Sequence, residues 1–407
     1  MTTVISDTAP KGATAPSTPW GIDSYITSIA FATIAIIGAL IWLETATFLV
    51  VLFGIGTVLG IAMFQSSLGF TGAWRNFVLT GQATGMRAQL VMLAVASVLI
   101  IPLVSGAIDV GASGTTAPLG VSLIVGSFIF GYGMQLGGAC GSGTLFTVGS
   151  GNLRMLITLF FFVVGAFWGS MNHTWWMTLP AAPSVVLYDM LGPWLAIVAQ
   201  LIIISALWWW FGKREKRLTG NTGWGLMAKA ETKGLKRFVT GPWPLLWAAL
   251  ILAVGNMLTV IIAGSPWGIT FAYALWGAKG AQALGVDVVS NAYWSTPFAA
   301  SALADSVFIN VNSVMAIGVI LGAMFASGLS NRFKKASPKT LPWRSIAAAV
   351  IGGLLMGYGG RVGFGCNIGA LFSGVASASM HAWVWFGFAF LGSYFGIKSR
   401  PFFGLDN

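Results

Sequence analysis

The sequence is poor in charge, in cysteine and in histidine. Only 8% of its 407 residues are charged, and it contains two cysteines and two histidines. Soluble domains carry about 25% charged residues, so a soluble globular protein is excluded. The two cysteines lie in apolar sequence and do not form a disulfide framework. Neither histidine is spaced to build a metal site with a cysteine, and the phosphate-binding loop of a nucleotide-driven pump is absent. We expect no metal and no cofactor.

Long hydrophobic runs dominate what is present. Hydrophobic residues make up 56% of the chain, and the mean hydropathy is +0.83. Runs of about 20 apolar residues recur throughout, and each is long enough to cross a bilayer as a helix. The sequence therefore predicts an all-α integral membrane protein of about ten transmembrane helices, near residues 26–43, 46–64, 88–106, 119–138, 153–170, 192–211, 243–263, 307–329, 345–364 and 382–397.

The basic residues set the direction of these spans. The net charge is +11, yet eight of the 21 Lys and Arg lie between Lys213 and Arg237 and five between Arg332 and Arg344. This is the positive-inside pattern of cytoplasmic loops rather than a nucleic-acid surface. Both termini then lie inside. The predicted organisation is a mobile cytoplasmic tail (1–25), a first membrane repeat (26–211), a basic cytoplasmic linker (212–241), a second membrane repeat (242–398) and a cytoplasmic tail (399–407).

Two pairs of similar segments indicate an internal repeat. "GYGMQLGGACGSGTLF" (131–146) and "GYGGRVGFGCNIGALF" (357–372) match at eight of sixteen positions, at an offset of 226. "GFT" at 69–71 and "GIT" at 268–270, at an offset of 199, open segments too short to span. The second copy therefore holds about 27 extra residues around 283–309. Five spans per copy would insert the copies in opposite directions. We predict an inverted 5+5 repeat whose broken helices and re-entrant half-helices meet at the centre.

The glycine-rich breaks are the candidate site. Each break exposes the N-terminus of a short helix, whose free N–H groups and dipole favour an anion. Arg361 is an intramembrane cation, and Gln135 is its counterpart. A soft thiol suits a ligand that contains sulfur or selenium. Helix packing by small residues is the alternative for the glycines, and snorkelling to the outer interface is the alternative for Arg361. The candidate pathway residues are Cys140, Cys366, Gly137, Gly138, Gly141, Gly363, Gly365, Asn367, Arg361, Gln135, Gly69 and Gly268.

At these residues the chain resembles the YeeE/YedE family of bacterial inner-membrane proteins, whose characterised members take up thiosulfate. The likeness covers roughly residues 46–398. It rests on "GTVLGIAMFQSSLGFTGAWRNF", on "FGYGMQLGGACGSGTL" and on "GYGGRVGFGCNIGALF" followed by "HAWVWFGFAFLGSYFG". The first span looks like an addition to a nine-span family core. In the family, two motif cysteines are proposed to pass thiosulfate by S–H···S contacts, and they correspond to Cys140 and Cys366.

The resemblance implies an importer of an inorganic sulfur anion, with thiosulfate first, and not an enzyme. One departure bears on the substrate: thiosulfate-importing relatives carry a third cysteine where this chain has Gly69. Some relatives are proposed to handle selenium compounds, and they also tend to have arginine at the position of Arg361. The alternatives are a selenium-compound or other sulfur-compound transporter, a membrane sulfurtransferase using a cysteine persulfide, and a structural subunit. The expected partners are the anion, the lipid bilayer and a cytoplasmic sulfur-carrier protein.

Overall fold

A computed structural model describes residues 21–45, 47–220, 226, 234–334 and 341–406. Most of the predicted N-terminal tail and much of the basic linker lie outside the described residues, so these two assignments stay predictions. The described chain is mainly helical. Its one sheet is a two-stranded antiparallel pair, β1 (Leu119–Gly120) with β2 (Ala181–Ala182).

The helices follow the predicted apolar runs closely. The first half contains α1 (Ser24–Glu44), α2 (Thr47–Ser66), α3 (Phe70–Thr80), α4 (Thr84–Val104), α5 (Val121–Gly137), α6 (Gly141–Gly149), α7 (Leu153–Met171), α8 (His173–Trp176), α9 (Leu187–Leu191) and α10 (Pro193–Thr219). The second half contains α11 (Gly234–Thr240), α12 (Leu245–Ala263), α13 (Thr270–Ala283), α14 (Pro297–Ala304), α15 (Val311–Leu329), α16 (Trp343–Val362), a π helix (Asn367–Phe372), α17 (Ser373–Ala376) and α18 (His381–Ser399). Single 3₁₀ turns occur at Val307–Ile309 and Arg400–Phe403.

Nine helical stretches within the described ranges are long and apolar enough to cross a membrane. The protein is therefore a multi-pass membrane protein. The tenth predicted span, 382–397, corresponds to α18, which has 19 residues, includes His381 and Lys398, and is not among these nine. The two predicted half-helices are α3, with 11 residues, and α13, with 14 residues. Both are too short to span.

Each of the main helix pairs joins one helix from the first half of the chain to one from the second half. Helix α2 packs against α15, and α12 packs against α4. Likewise α5 packs against α18, α16 packs against α7, and α5 and α16 pack against each other. A two-fold relation between the halves predicts these exchanged pairings. The opposite orientation of the two halves in the membrane stays a prediction.

Glycines bring the central helices into backbone contact. A Cβ added at Gly359 of α16 would lie 2.6 Å from the carbonyl oxygen of Gly126 in α5. A Cβ at Gly133 would lie 2.8 Å from Leu355 Cβ, on the same interface. Small residues at such contacts let membrane helices approach closely, so the packing role considered for the glycines is confirmed at these positions.

A buried ion pair joins α10 to α4. Arg87 Nη1 lies 3.0 Å from Glu215 Oε2, and both side chains are about 95% buried. The other oxygen of Glu215 accepts a hydrogen bond from the backbone N–H of Ala83 at 3.0 Å. The partnership offsets part of the cost of burying both charges.

Candidate substrate site at two helix breaks

The first break separates α5 from α6. Gly138 caps α5 in the left-handed conformation, with φ 96°, where a residue with a Cβ would be strained. Cys140 then forms the N-cap of α6, and its sulfur accepts a hydrogen bond from the backbone N–H of Gly143 at 3.4 Å. Ser142 Oγ lies 3.6 Å from the same sulfur. The thiol therefore occupies the position at which serine or aspartate usually caps a helix.

Two arginines cap the buried C-terminal end of α5. Arg154 donates to the carbonyl oxygens of Gly137 at 2.7 Å and Leu136 at 2.6 Å. Arg400 donates to the carbonyl oxygen of Gln135 at 2.7 Å. The last carbonyls of a helix have no partner within it, so these bonds satisfy polar groups that the break would otherwise leave unpaired. The sequence placed Arg154 at the start of the predicted span 153–170 and Arg400 in the cytoplasmic tail, and it did not predict this contact.

The second break separates α16 from the π helix and differs in backbone geometry. Phe364 has φ 64° and Gly365 has φ 151°, so the chain passes two consecutive positive φ angles. Cys366 is the N-cap of the π helix, in which Leu371 N–H donates to Cys366 O at 3.4 Å. The sequence predicted an ordinary short helix after Asn367, and the first part of that helix is π instead.

The two breaks meet at Gly141. A Cβ added at Gly141 would lie 3.0 Å from Cys366 Sγ, so the second thiol packs directly against the residue that follows the first. Both cysteines are free and almost fully buried, at 1% and 0% exposure. Tyr273 of half-helix α13 donates its hydroxyl to the carbonyl oxygen of Gly141 at 2.9 Å. The structure thus brings Cys140, Gly141 and Cys366 together, a juxtaposition for which the repeat was the only sequence signal.

A pocket of about 380 Å³ leads to Cys140 but not to Cys366. Its lining includes the first turn of α3 and the first turn of α6, so two helix N-termini face it. The described residues that line it include no aspartate or glutamate. Each N-terminus contributes up to about 2 kcal/mol to binding an anion where it is partly buried. The predicted site residues Gly69 and Gly138 also line this pocket.

The remaining predicted residues lie around the crossing in different roles. Gln135 donates to Thr71 O at 3.2 Å and Ser393 Oγ at 2.7 Å, which ties α5 to α3 and α18. Gly268 lies beside the π helix, where a Cβ at Gly369 would be 3.9 Å from its Cα. Gly363 packs against Gly126 of α5. A Cβ at Gly363 would lie 2.8 Å from Ser127 N, so glycine allows close approach there, and the pathway role of Gly363 stays a prediction.

Arg361 lies in the last turn of α16, before the second break, among aromatic side chains. Its guanidinium carbon is 4.4 Å from the ring centroid of Tyr293 and 5.9 Å from that of Phe271. Its Nε is buried and has no hydrogen-bond partner within the described part of the chain. The ring of His173 contacts Tyr293 at 5.2 Å. Burial, and then the charge of Arg361, lower the pKa of His173 to about 4, so this imidazole is neutral at pH 7.

Comparison with known proteins identifies the family. The family model described as "Sulphur transport" matches residues 65–395. The chain belongs to the sulphur transport family. This confirms the resemblance inferred from the glycine–cysteine segments and makes the protein a member of a transport family rather than an enzyme. Within the described ranges, no group of three or more His, Cys, Asp or Glu side chains could hold a metal ion.

This member of the sulphur transport family is similar to several curated proteins, over most of its length or over part of it. The "Thiosulfate transporter TsuA" of Spirochaeta thermophila is 25% identical over 364 residues, 84% of this chain and 95% of the relative. The protein of the same name from Escherichia coli is 26% identical over 348 residues, 83% of this chain and 89% of the relative. The "Probable transporter YedE" of Escherichia coli is 30% identical over 156 residues, 37% of each chain.

Proposed function

We propose that the protein imports an inorganic sulfur-containing anion, most specifically thiosulfate, along a central pathway that passes Cys140 and then Cys366 or the reverse. The observation that carries this proposal is the contact of Cys366 Sγ with Gly141, directly beside Cys140. Two near-full-length relatives bear the name thiosulfate transporter, which supports the choice of substrate.

The pocket at Cys140 suits the chemistry of thiosulfate. Its helix N-termini favour the negative charge, and the thiol can donate a weak S–H hydrogen bond to the terminal sulfur. A neutral donor holds an anion less tightly than a lysine or arginine would, and a transported ion must also leave its site. The helix N-termini and the thiol are therefore strong enough to bind the anion near the breaks and weak enough to release it.

Uptake of radiolabelled thiosulfate into proteoliposomes tests the proposal. Cys140→Ala and Cys366→Ala should each abolish uptake while leaving membrane insertion intact. Ser97→Ala is the matched control, since it removes one buried side-chain oxygen in α4, where Ser97 only bonds its own helix. Normal uptake in either cysteine variant contradicts the pathway, and loss of uptake in Ser97→Ala shows that small core changes alone abolish it.

The same preparation separates the alternatives. Sulfite, sulfate and selenium oxyanions added as competitors rank the substrates, and a selenium anion that competes better than thiosulfate would make this a selenium-compound transporter. A sulfurtransferase would leave one extra sulfur atom on Cys140 or Cys366, which intact-mass measurement detects. We expect no such adduct.

The proposed setting is a bacterial inner membrane with both termini in the cytoplasm, where a sulfur-carrier protein would receive the anion. Basic residues at the end of α10 and after α15 support this orientation. Fluorescent-protein and phosphatase fusions at each terminus test it. Fluorescence from both termini is the expected result, and phosphatase activity from either one contradicts it.

A further inference from the structure

Asn367, the residue after Cys366, has a buried amide with no partner. It is 0% exposed, and neither Nδ2 nor Oδ1 has a hydrogen-bond partner among the described residues. Buried polar groups in proteins are almost always hydrogen-bonded, so each exception requires an explanation. Leaving both ends of an amide unpaired in a low-dielectric interior destabilises the fold, and a ligand that supplies the missing bond explains why it is there.

A second buried asparagine shows the usual arrangement. Asn256 in α12 is also 0% exposed, but its Oδ1 accepts from Trp267 N–H at 2.8 Å and its Nδ2 donates to Ser373 Oγ at 3.4 Å. Asn256 therefore holds the chain before α13 to the chain after the π helix. Asn367 makes no comparable tie, so a structural role of that kind does not account for it.

Asn367 follows Cys366 directly, so the residue lies beside the crossing of the two breaks. Cys366 Sγ packs against Gly141. Cys366 is the N-cap of the π helix, and Asn367 is the first residue of that helix. At the offset of 226, the counterpart of Asn367 is Gly141 itself. One copy of the repeat thus has an asparagine at this position, and the other has a residue without a side chain.

We propose that Asn367 binds the oxygen atoms of the transported anion and so selects sulfur anions that carry oxygen. This inference rests on the proposed function. Its Nδ2 donates to an anion oxygen while the neighbouring thiol contacts sulfur, so the two ends of the anion are recognised by different groups. The amide is neutral, so it distinguishes an oxygen acceptor from a bare sulfur anion without trapping the charge.

Ligand-induced thermal stabilisation of the purified protein tests the role without requiring transport. The probes are thiosulfate, sulfite, selenite and, as the oxygen-free anion, hydrosulfide. In Asn367→Leu we expect the apparent Kd for the oxygen-containing anions to rise about tenfold or more, because a hydrogen bond to a charged group is lost. The Kd for hydrosulfide should not change. Asn367→Gly, which reproduces the counterpart residue, should give the same pattern if the leucine variant does not fold.

The ligand-free protein supplies an independent readout. Replacing an unpaired amide by leucine should raise the unfolding temperature without ligand, whereas Asn256→Leu breaks two hydrogen bonds and should lower it. Asn256→Leu should also keep the ratio of oxyanion to hydrosulfide affinities.

The outcomes separate this inference from the proposed function. Stabilisation by sulfite or selenite but not by thiosulfate, lost in Asn367→Leu, supports the role of Asn367 and contradicts thiosulfate import. Thiosulfate affinity that is equal in the wild type and both Asn367 variants overturns the role of Asn367 and leaves the proposed function standing. If none of the oxygen-containing anions stabilises the wild-type protein, the role of Asn367 is overturned as well.

Discussion

The two helix breaks have similar sequences, but the segments that follow the neighbouring half-helices differ in length. Half-helix α3, beside the first break, is followed by only three residues before α4. Half-helix α13, beside the second, is followed by 27 residues, from 284 to 310, before α15. The first arrangement leaves a pocket of about 380 Å³ that reaches Cys140.

The longer segment packs over the second half-helix. Trp294 is fully buried and donates to Ser170 Oγ at 2.9 Å, while Tyr293 lies against Arg361. Phe298 of α14 contacts Phe271 of α13, with ring centroids 4.9 Å apart. Two breaks of similar sequence can therefore differ in access: a pocket reaches the thiol of the first, while the longer segment covers the half-helix beside the second.

The largest expected effect is a difference in thiol reactivity. In single-cysteine variants, a small water-soluble alkylthiosulfonate should modify Cys140 (in Cys366→Ala) at least about tenfold faster than Cys366 (in Cys140→Ala), because modification follows access. Quenched-labelling mass spectrometry measures both rates. Equal rates would mean that the pocket at Cys140 does not control access.

The caps on the two breaks should differ in strength. Arg154→Gln removes charged donors from the Gly137 and Leu136 carbonyls and should lower the free energy of unfolding by about 3 kcal/mol. At the second break Ser122 Oγ donates to Val362 O at 2.5 Å, and Ser122→Ala should cost about 1 kcal/mol. Denaturation in detergent measures both. A larger loss from Ser122→Ala would reverse this ranking.

Two glycines of the site should respond differently to an added methyl group. A Cβ at Gly141 would press on Cys366 Sγ at 3.0 Å, so Gly141→Ala should destabilise by about 2 kcal/mol through overpacking. A Cβ at Gly69 would meet nothing within 4 Å, and its backbone is extended, so Gly69→Ala should be neutral. Thermal unfolding compares them. Gly69→Cys should be tolerated equally well, which restores the third thiol of the relatives at that position.

The smallest expected effect is a pH dependence of stability that comes from His173, which packs against Tyr293 of the longer segment. The pKa of His173 is about 4 in the folded protein and about 6.5 when unfolded. Between these values the unfolded chain binds more protons, so stability is full above pH 6.5 and falls as the pH drops toward 4. The free energy of unfolding should therefore fall between pH 7.5 and pH 5 by about 1 kcal/mol less in His173→Phe than in the wild type, after allowance for partial exposure. Unfolding at pH 5 and pH 7.5 measures the difference.

Composition and spacing predicted the spans, the half-helices and the breaks, because each depends on local hydropathy and on glycine. They did not predict the π geometry after Cys366, for which no sequence pattern was available. Nor did they predict the caps from Arg154 and Arg400, since a basic residue near a span end satisfies the positive-inside pattern wherever its side chain points. The contact between Cys366 and Gly141 required the tertiary fold.

The bond from Arg400 to Gln135 has a consequence for biosynthesis. The two residues are separated by 265 positions, so the end of α5 remains without this donor until the rest of the protein has been translated. The first thiol break therefore cannot reach its final hydrogen bonding while only the first half is in the membrane. This part of the crossing is therefore completed only after residue 400 has been synthesised and has packed against α5.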